Sequence, residues 1–189
     1  VSPYFVPGRS GTSYLSGLSR SGKTVRVLTN SLEANDVQPV HAGYERYRKK
    51  LLKADIKIFE LKSLKKESAA RKRPRKFGAS SASLHAKVFA IDGKRVFVGS
   101  FNFDPRSALL NCEMGLIVDS EVLACAMSAM FDGPLDPFSY RPRLDDKGRL
   151  YWLESDAGRE IRHDIEPNTT ASGRLAIRAI ALLPIEWLL

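Results

Sequence analysis

The dipeptide Asp92-Gly93 sits between two apolar, strand-forming runs, Val88-Phe89-Ala90-Ile91 and Val96-Phe97-Val98. A tight two-residue connection needs positive φ at both positions, which Gly adopts freely and Asp tolerates. The pair therefore predicts an antiparallel hairpin. With a two-residue loop Ile91 faces Lys94, and extending the ladder sets His85 opposite Ser100. Opposed residues share a face, as do residues two apart on one strand. This pairing gathers His85, Lys87, Ser100 and Asn102 on one side of the hairpin.

The rest of the chain alternates strands with amphipathic helices. Ser2 to Val6 predicts a strand ended by Pro7-Gly8, and Gly11 to Ser21 a helix stopped by Gly22. Val25 to Thr29 is a short β-branched strand, and Ile56 to Leu61 another. Between them Asp36 to Lys53 carries Val40, Tyr44, Tyr47 and Leu51 on one helical stripe, with Arg46, Arg48, Lys49 and Lys50 off it. Beyond the hairpin come a strand over Glu113 to Val118, a helix over Ser120 to Met130, and a Pro-rich connection over Gly133 to Pro142. A second hairpin spans Leu150 to Glu154 and Glu160 to Ile165. The pattern predicts one α/β domain over residues 1–189, a mixed central β-sheet flanked by helices on both faces.

The 189 residues carry a net charge of +9. Between Lys62 and Lys76 eight basic residues stand against one acid, supplying +7 of that total. Residues 63–83 lose all periodicity and read as a basic mobile loop. Cys112 and Cys125 sit in apolar sequence and read as reduced core residues. No Cys/His spacing suggests a metal, and no cofactor is expected. No run reaches the roughly 20 apolar residues needed to span a bilayer. The terminal segment from Arg174 to Leu189 reads as a helix that closes the core or lies on a membrane surface.

The hairpin's polar groups have one coherent chemistry. An imidazole can be a nucleophile or a general acid/base near neutral pH. A Lys ammonium is a point charge for a phosphate oxygen, and hydroxyl and amide donors serve the remaining oxygens. Such a group suits phosphoryl transfer without a metal. The spacing His85-x-Lys87-x₄-Asp92-x₆-Gly99-Ser100-x-Asn102 resembles the HKD motif of the phospholipase D superfamily. The flanks, SPYFVPGRSG, LTNSLEANDVQPVHAGYERYRKKLL and LPIEWLL, look like the C-terminal half of bacterial cardiolipin synthases of the C type. The resemblance implies a phosphohistidine mechanism in which one HKD histidine attacks phosphorus and another protonates the leaving group. It implies that Lys87 and Asn102 hold phosphate oxygens and that Glu113, in Asn111-x-Glu113, orients His85 through Nδ1. Asp92 belongs to the catalytic motif, but its position in the turn points to a structural role rather than proton transfer. His85, from a C-terminal motif, is expected to be the general acid/base.

Only one HKD motif is present. His41 is followed two residues later by Gly43, and His163 by Ile165. The partner motif is expected upstream of Val1 or in a second copy. The resemblance implies cardiolipin synthesis from phosphatidylglycerol and a second phospholipid, phosphatidylethanolamine, on the cytoplasmic face of the bacterial inner membrane, with peripheral attachment. His41 is read as lining the lipid head-group pocket. Two other readings differ in class. One is a single-motif phosphodiesterase or nuclease active as a homodimer, for which the lipid-type flanks make nucleic acid a poor partner. The other is a non-catalytic domain that docks on anionic membrane.

Overall fold

The computed structural model describes residues 1–63 and 84–183. The chain runs α1 (Gly8–Arg20), β1 (Arg26–Asn30), α2 (Gln38–Lys53), β2 (Lys57–Leu61), β3 (Val88–Ile91), β4 (Arg95–Gly99), α3 (Pro105–Leu109), β5 (Gly115–Asp119), α4 (Glu121–Ala129), β6 (Ser139–Leu144), β7 (Leu150–Asp156), β8 (Arg159–His163) and α5 (Ala171–Ala181). A five-stranded mixed sheet has the order β1-β2-β6-β7-β8, parallel between β1 and β2 and antiparallel elsewhere. Strands β3, β4 and β5 form a separate antiparallel sheet. The basic segment expected at 63–83 lies outside the described residues, apart from Ser63.

Several local expectations change for physical reasons. Ser2 to Val6 forms no extended strand and, among the described residues, makes one bridge, Phe5 to Phe103. Its first residues instead link the two sheets. The Val1 ammonium donates to the Val88 carbonyl at 2.9 Å, and Ser2 N–H donates to Leu28 O at 3.0 Å. The stretch read as a Pro-rich connection contains β6. Pro142 is tolerated there because β6 pairs with β2 only through Ser139 and Tyr140, so the missing N–H costs no bond on that side. Cys112 and Cys125 are free, as expected, but exposed rather than buried.

An aromatic seam ties the small sheet to the main core. Phe97 stacks on Phe89 at 5.3 Å, Phe89 meets Phe103 at 6.4 Å, Phe103 meets Phe5 at 5.3 Å, and Phe5 meets Tyr44 at 6.0 Å. Phe5 and Tyr44 belong to the core cluster with Val27, Leu51, Ile56 and Ile58.

Beneath α2 lies a buried polar network. Arg48, expected on the solvent side of the helix, is buried, because it falls four residues after Tyr44 on the same face. Its Nη1 donates to Glu60 Oε1 at 3.0 Å and Glu166 Oε1 at 2.9 Å. Tyr44 OH and Trp152 Nε1 donate to Glu60 at 2.7 and 2.8 Å. The guanidinium also lies 4.9 Å from the Trp152 ring and 5.3 Å from that of Tyr44. Burial alone would raise the Glu166 carboxyl, but Arg48 and the His41 hydrogen bond outweigh it and hold the group well below its ordinary range. Burial and the neighbouring Glu60 push the Tyr44 hydroxyl well up, so it stays a donor.

Replacing Arg48 with Met leaves two buried carboxylates without their cation. It should cost about 3–5 kcal/mol, read as a lower urea midpoint. Glu166 binds fewer protons folded than unfolded, so its stabilising contribution is full above the unfolded carboxyl pKa of about 4.3 and fades as pH falls below it. Glu166→Gln should flatten that acid limb of stability against pH. An unchanged slope would mean that another group governs it.

Candidate active site

The sequence Gly99-Ser-Phe-Asn-Phe103 alternates polar and aromatic residues as it leaves β4. Phe101 and Phe103 turn toward Phe89, at 6.1 and 6.4 Å, and so enter the seam. Alternation leaves Ser100 and Asn102 on the other side.

The hairpin turn has the expected backbone, with φ of 52° at Asp92 and 65° at Gly93 and a bond from Lys94 N–H to Ile91 O of 3.0 Å. The ladder is nevertheless offset by one residue. Ile91 pairs with Arg95 rather than Lys94. Lys94 closes the turn through its N–H on Ile91 O and gives its carbonyl to Ser120 N–H just beyond β5, so it joins Asp92 and Gly93 in a three-residue loop. In consequence Lys87 faces Gly99, bonded through Gly99 N–H to Lys87 O at 3.2 Å. His85 is therefore not directly opposite Ser100.

The site is rebuilt by β5. Ser100 and Met114 exchange backbone and side-chain bonds: Ser100 N–H donates to Met114 O at 2.8 Å, and Met114 N–H donates to Ser100 Oγ at 3.0 Å. The Ser100 hydroxyl donates in a short bond to Glu113 Oε2, and Asn111 Nδ2 donates to Glu113 Oε1 at 3.1 Å. These bonds from Ser100 and Asn111, with a smaller attraction from Lys87, lower the Glu113 pKa. The helix α3 supports this arrangement. Its Asp104 cap accepts from Ser107 N–H at 2.6 Å, and Arg106 Nε bonds Asn111 Oδ1 at 3.3 Å.

Ser100, Asn111 and Glu113 are thus joined by hydrogen bonds, with Asn102 two residues along from Ser100, and Lys87 adds only a weak electrostatic pull on Glu113. Ser100 was expected to bind substrate phosphate, but its hydroxyl proton is committed to Glu113. Glu113, expected to orient His85, accepts from Ser100 and Asn111, and no bond from the His85 ring to it is made among the described residues. Asp92 lies at the far end of β3, in the turn. Asn102 is half-buried, and its enclosed Oδ1 has no partner among the described residues. His85 is exposed, and its ring makes no hydrogen bond among the described residues. Lys87 Nζ donates to the His85 carbonyl at 3.1 Å.

The entry of this segment depends on a contact that sequence reasoning missed. Asn30, at the end of β1, accepts from Leu84 N–H at 3.0 Å and donates to Leu84 O at 3.3 Å. A side-chain amide thereby pins the residue before His85 to the parallel strands. The only signal in the sequence is a polar residue closing an apolar strand.

His41 sits elsewhere. Its ring has 0% exposure, so it does not line an open pocket as expected. Nε2 lies 3.0 Å from Glu166 Oε1, and Nδ1 has no partner among the described residues. A proton on Nε2 therefore leaves no donor stranded. Among the described residues no group of three or more His, Cys, Asp or Glu side chains is arranged to hold a metal.

The family model described as "Cardiolipin synthase, PLD-like domain" matches residues 1–134. The chain belongs to this family. Cardiolipin synthase C of Escherichia coli (strain K12) is 47% identical over 189 residues, covering 100% of this chain and 40% of that protein. The chain thus spans about two fifths of its relative's length. The fold agrees with solved phospholipase D-type structures. Phosphatidylserine synthase of Haemophilus influenzae aligns with all of this chain and 40% of its own, at TM-score 0.55 and 15% identity. The phospholipase D family member Nuc of Salmonella typhimurium aligns over 74% of this chain and 78% of its own, at TM-score 0.51 and 16% identity.

Within this cardiolipin synthase-like domain, two glycines let β4 and β5 close around Ser100. A Cβ on Gly99 would come 2.8 Å from Gly115 Cα and closer still to Met114 O, and a Cβ on Gly115 would enter the Phe97 ring. Gly115→Ala should lower the unfolding free energy by about 1–3 kcal/mol in urea titrations. Gly17→Ala, in α1 with open space around it, should be neutral or stabilising by about 0.5–1 kcal/mol. Equal effects at the two positions would refute the packing argument.

Proposed function

We propose that this chain is one half of a phosphatidyltransferase that makes cardiolipin from phosphatidylglycerol and a second phospholipid, phosphatidylethanolamine, through a phosphohistidine. The observation that carries the reading is an exposed His85 two residues before Lys87, whose carbonyl is bonded to Gly99 next to the Ser100–Glu113 pair, in a chain spanning 40% of a cardiolipin synthase. The segment has a cation for phosphate at Lys87, a half-buried amide at Asn102 whose Oδ1 has no partner among the described residues, and one imidazole at His85. Two-step transfer through a covalent histidine needs a second imidazole to protonate the leaving alcohol. The partner half would supply it. In this scheme the partner's imidazole attacks phosphorus, and His85 gives its proton to the first leaving alcohol. His85 then takes a proton from the incoming hydroxyl, whose oxygen displaces the partner imidazole.

Lys87 would balance charge on the phosphoryl oxygens, and Asn102 would donate from its amide. Glu113, held as a carboxylate, and Ser100 act as positioning residues that fix the β4–β5 end. Where the partner half would sit is suggested by apolar surface. Leu116 and Ile117 on β5 are 71% and 72% exposed, and Val122 on α4 is 80% exposed. Leu116 and Ile117 point to opposite faces of β5, and Leu116 shares its face with Val98 across the ladder, itself 47% exposed; large apolar side chains left open in this way mark an interface. A peripheral position on the cytoplasmic face of the inner membrane completes the proposal. Among the described residues no helix is long and apolar enough to cross a membrane.

In the full two-half protein, His85→Ala should lower cardiolipin formation by at least 10²-fold, as expected for loss of a general acid/base. Wild-type turnover should be bell-shaped in pH, since one imidazole must be neutral while the other is protonated. Undiminished synthesis by His85→Ala, or a flat profile between about pH 5 and 9, would reject two-histidine catalysis.

A further inference from the structure

A cavity of about 400 Å³ opens between α2, β7 and α5, with Trp152 in its wall. Four cations line it near the surface: Lys49, Arg149, Arg174 and Arg178. Its carboxylates are unevenly engaged. Glu166 is bonded to Arg48 and His41, and Asp164 is paired with Arg162 at 2.8 Å, which leaves Glu45. Arg149 is paired with Asp145. Among the described residues Arg174 and Arg178 have no carboxylate partner, and Arg174 Nη1 reaches only the neutral oxygens of Thr169, at 2.9 Å. Two like charges four residues apart on one helix face repel each other. An anion between them would remove that cost.

The same helix carries a second stripe. Ile177 is buried against the core, whereas Leu175 and Leu182 are 70% and 86% exposed. At 100° per residue, Leu175 and Leu182 stand side by side, next to the Arg174–Arg178 row and away from Ile177. A row of arginines beside a row of exposed leucines is how an amphipathic helix lies in a bilayer interface, with leucine among acyl chains and arginine at phosphate level. An aqueous small anion would account for the arginines but not for the leucines.

We propose that the α5 cavity is a docking site for the phosphate diester of an anionic bilayer phospholipid, separate from the His85 cluster. It rests on the reading of this protein as one that works on membrane lipids, and it adds a site that holds the domain on the bilayer.

The test is co-sedimentation of the 189-residue chain with vesicles of phosphatidylcholine containing 30 mol% phosphatidylglycerol, about a third anionic lipid. Arg174→Gln/Arg178→Gln should weaken partitioning about 30-fold, from about tenfold in K for each 1.4 kcal/mol and the typical worth of a surface charge. Arg178→Gln alone, which leaves the Thr169 bonds intact, should weaken it about fivefold. Leu175→Ser/Leu182→Ser should also weaken it. Arg20→Gln/Lys23→Gln removes the same charge from an exposed stretch elsewhere and should change it less than threefold. Circular dichroism melting confirms that each variant is folded. Equal losses for the two charge pairs would mean diffuse attraction and overturn the site, as would a null effect of the leucine pair. Binding of inorganic phosphate without vesicle binding would also overturn it. His85→Ala should bind vesicles like wild type. If wild type fails to bind vesicles while the two-half protein keeps His85-dependent transfer in detergent, this inference falls and the catalytic proposal stands.

Discussion

The buried guanidinium of Arg48 is the interaction on which the main layers converge. It reaches from α2 to Glu60 on β2 of the mixed sheet and to Glu166 after β8. Tyr44 and Trp152 complete the shell from α2 and β7. A buried ion pair is weak evidence of net stability, because apolar residues of similar volume often serve as well. Its value here is registry. Glu60 accepts from three directions, so α2, β2 and β7 have one relative position in which no charge is stranded. The cavity beside α5 borders the same guanidinium, which ties the proposed docking site to the rigid part of the molecule.

The site grows from the second sheet, which is held more lightly. Its attachment is an aromatic seam, the Val1–Val88 pairing and the Asn30 clamp on Leu84. The polar groups are then drawn together by β5, through Ser100, Asn111 and Glu113, and not by the hairpin alone. An imidazole left exposed at the entry to this sheet suits the proposed reaction, in which a second surface is brought against it. The exposed apolar residues of β5 and α4 point to the same need.

Much of this was legible in the chain. The HKD spacing and its flanks identified the fold family. Tyr44, Tyr47 and Leu51 declared the inner face of α2, and Asp92-Gly93 declared a turn with two positive φ values. Other features were not legible. Arg48 looked like one of several surface cations, because a charge on a helix reads as solvated unless its partners are known, and Glu60 and Glu166 lie 12 and 118 residues away in sequence. Pro142 hid a strand because the sequence does not say which sheet edge is unpaired. The hairpin register slipped by one because Lys94 joins the loop and turns its carbonyl to Ser120, the cap of α4, a partner far along the chain.

The sequence by itself determined the elements, the turn and the set of residue types able to handle a phosphate, since these follow from local spacing and chemical identity. Tertiary structure decided which of them meet. It joined Ser100 to Glu113, left His85 exposed, enclosed His41, and placed Arg174 and Arg178 beside a cavity. The reason is that hydrogen bonds and burial depend on distances between segments far apart in the chain, which only the folded packing sets.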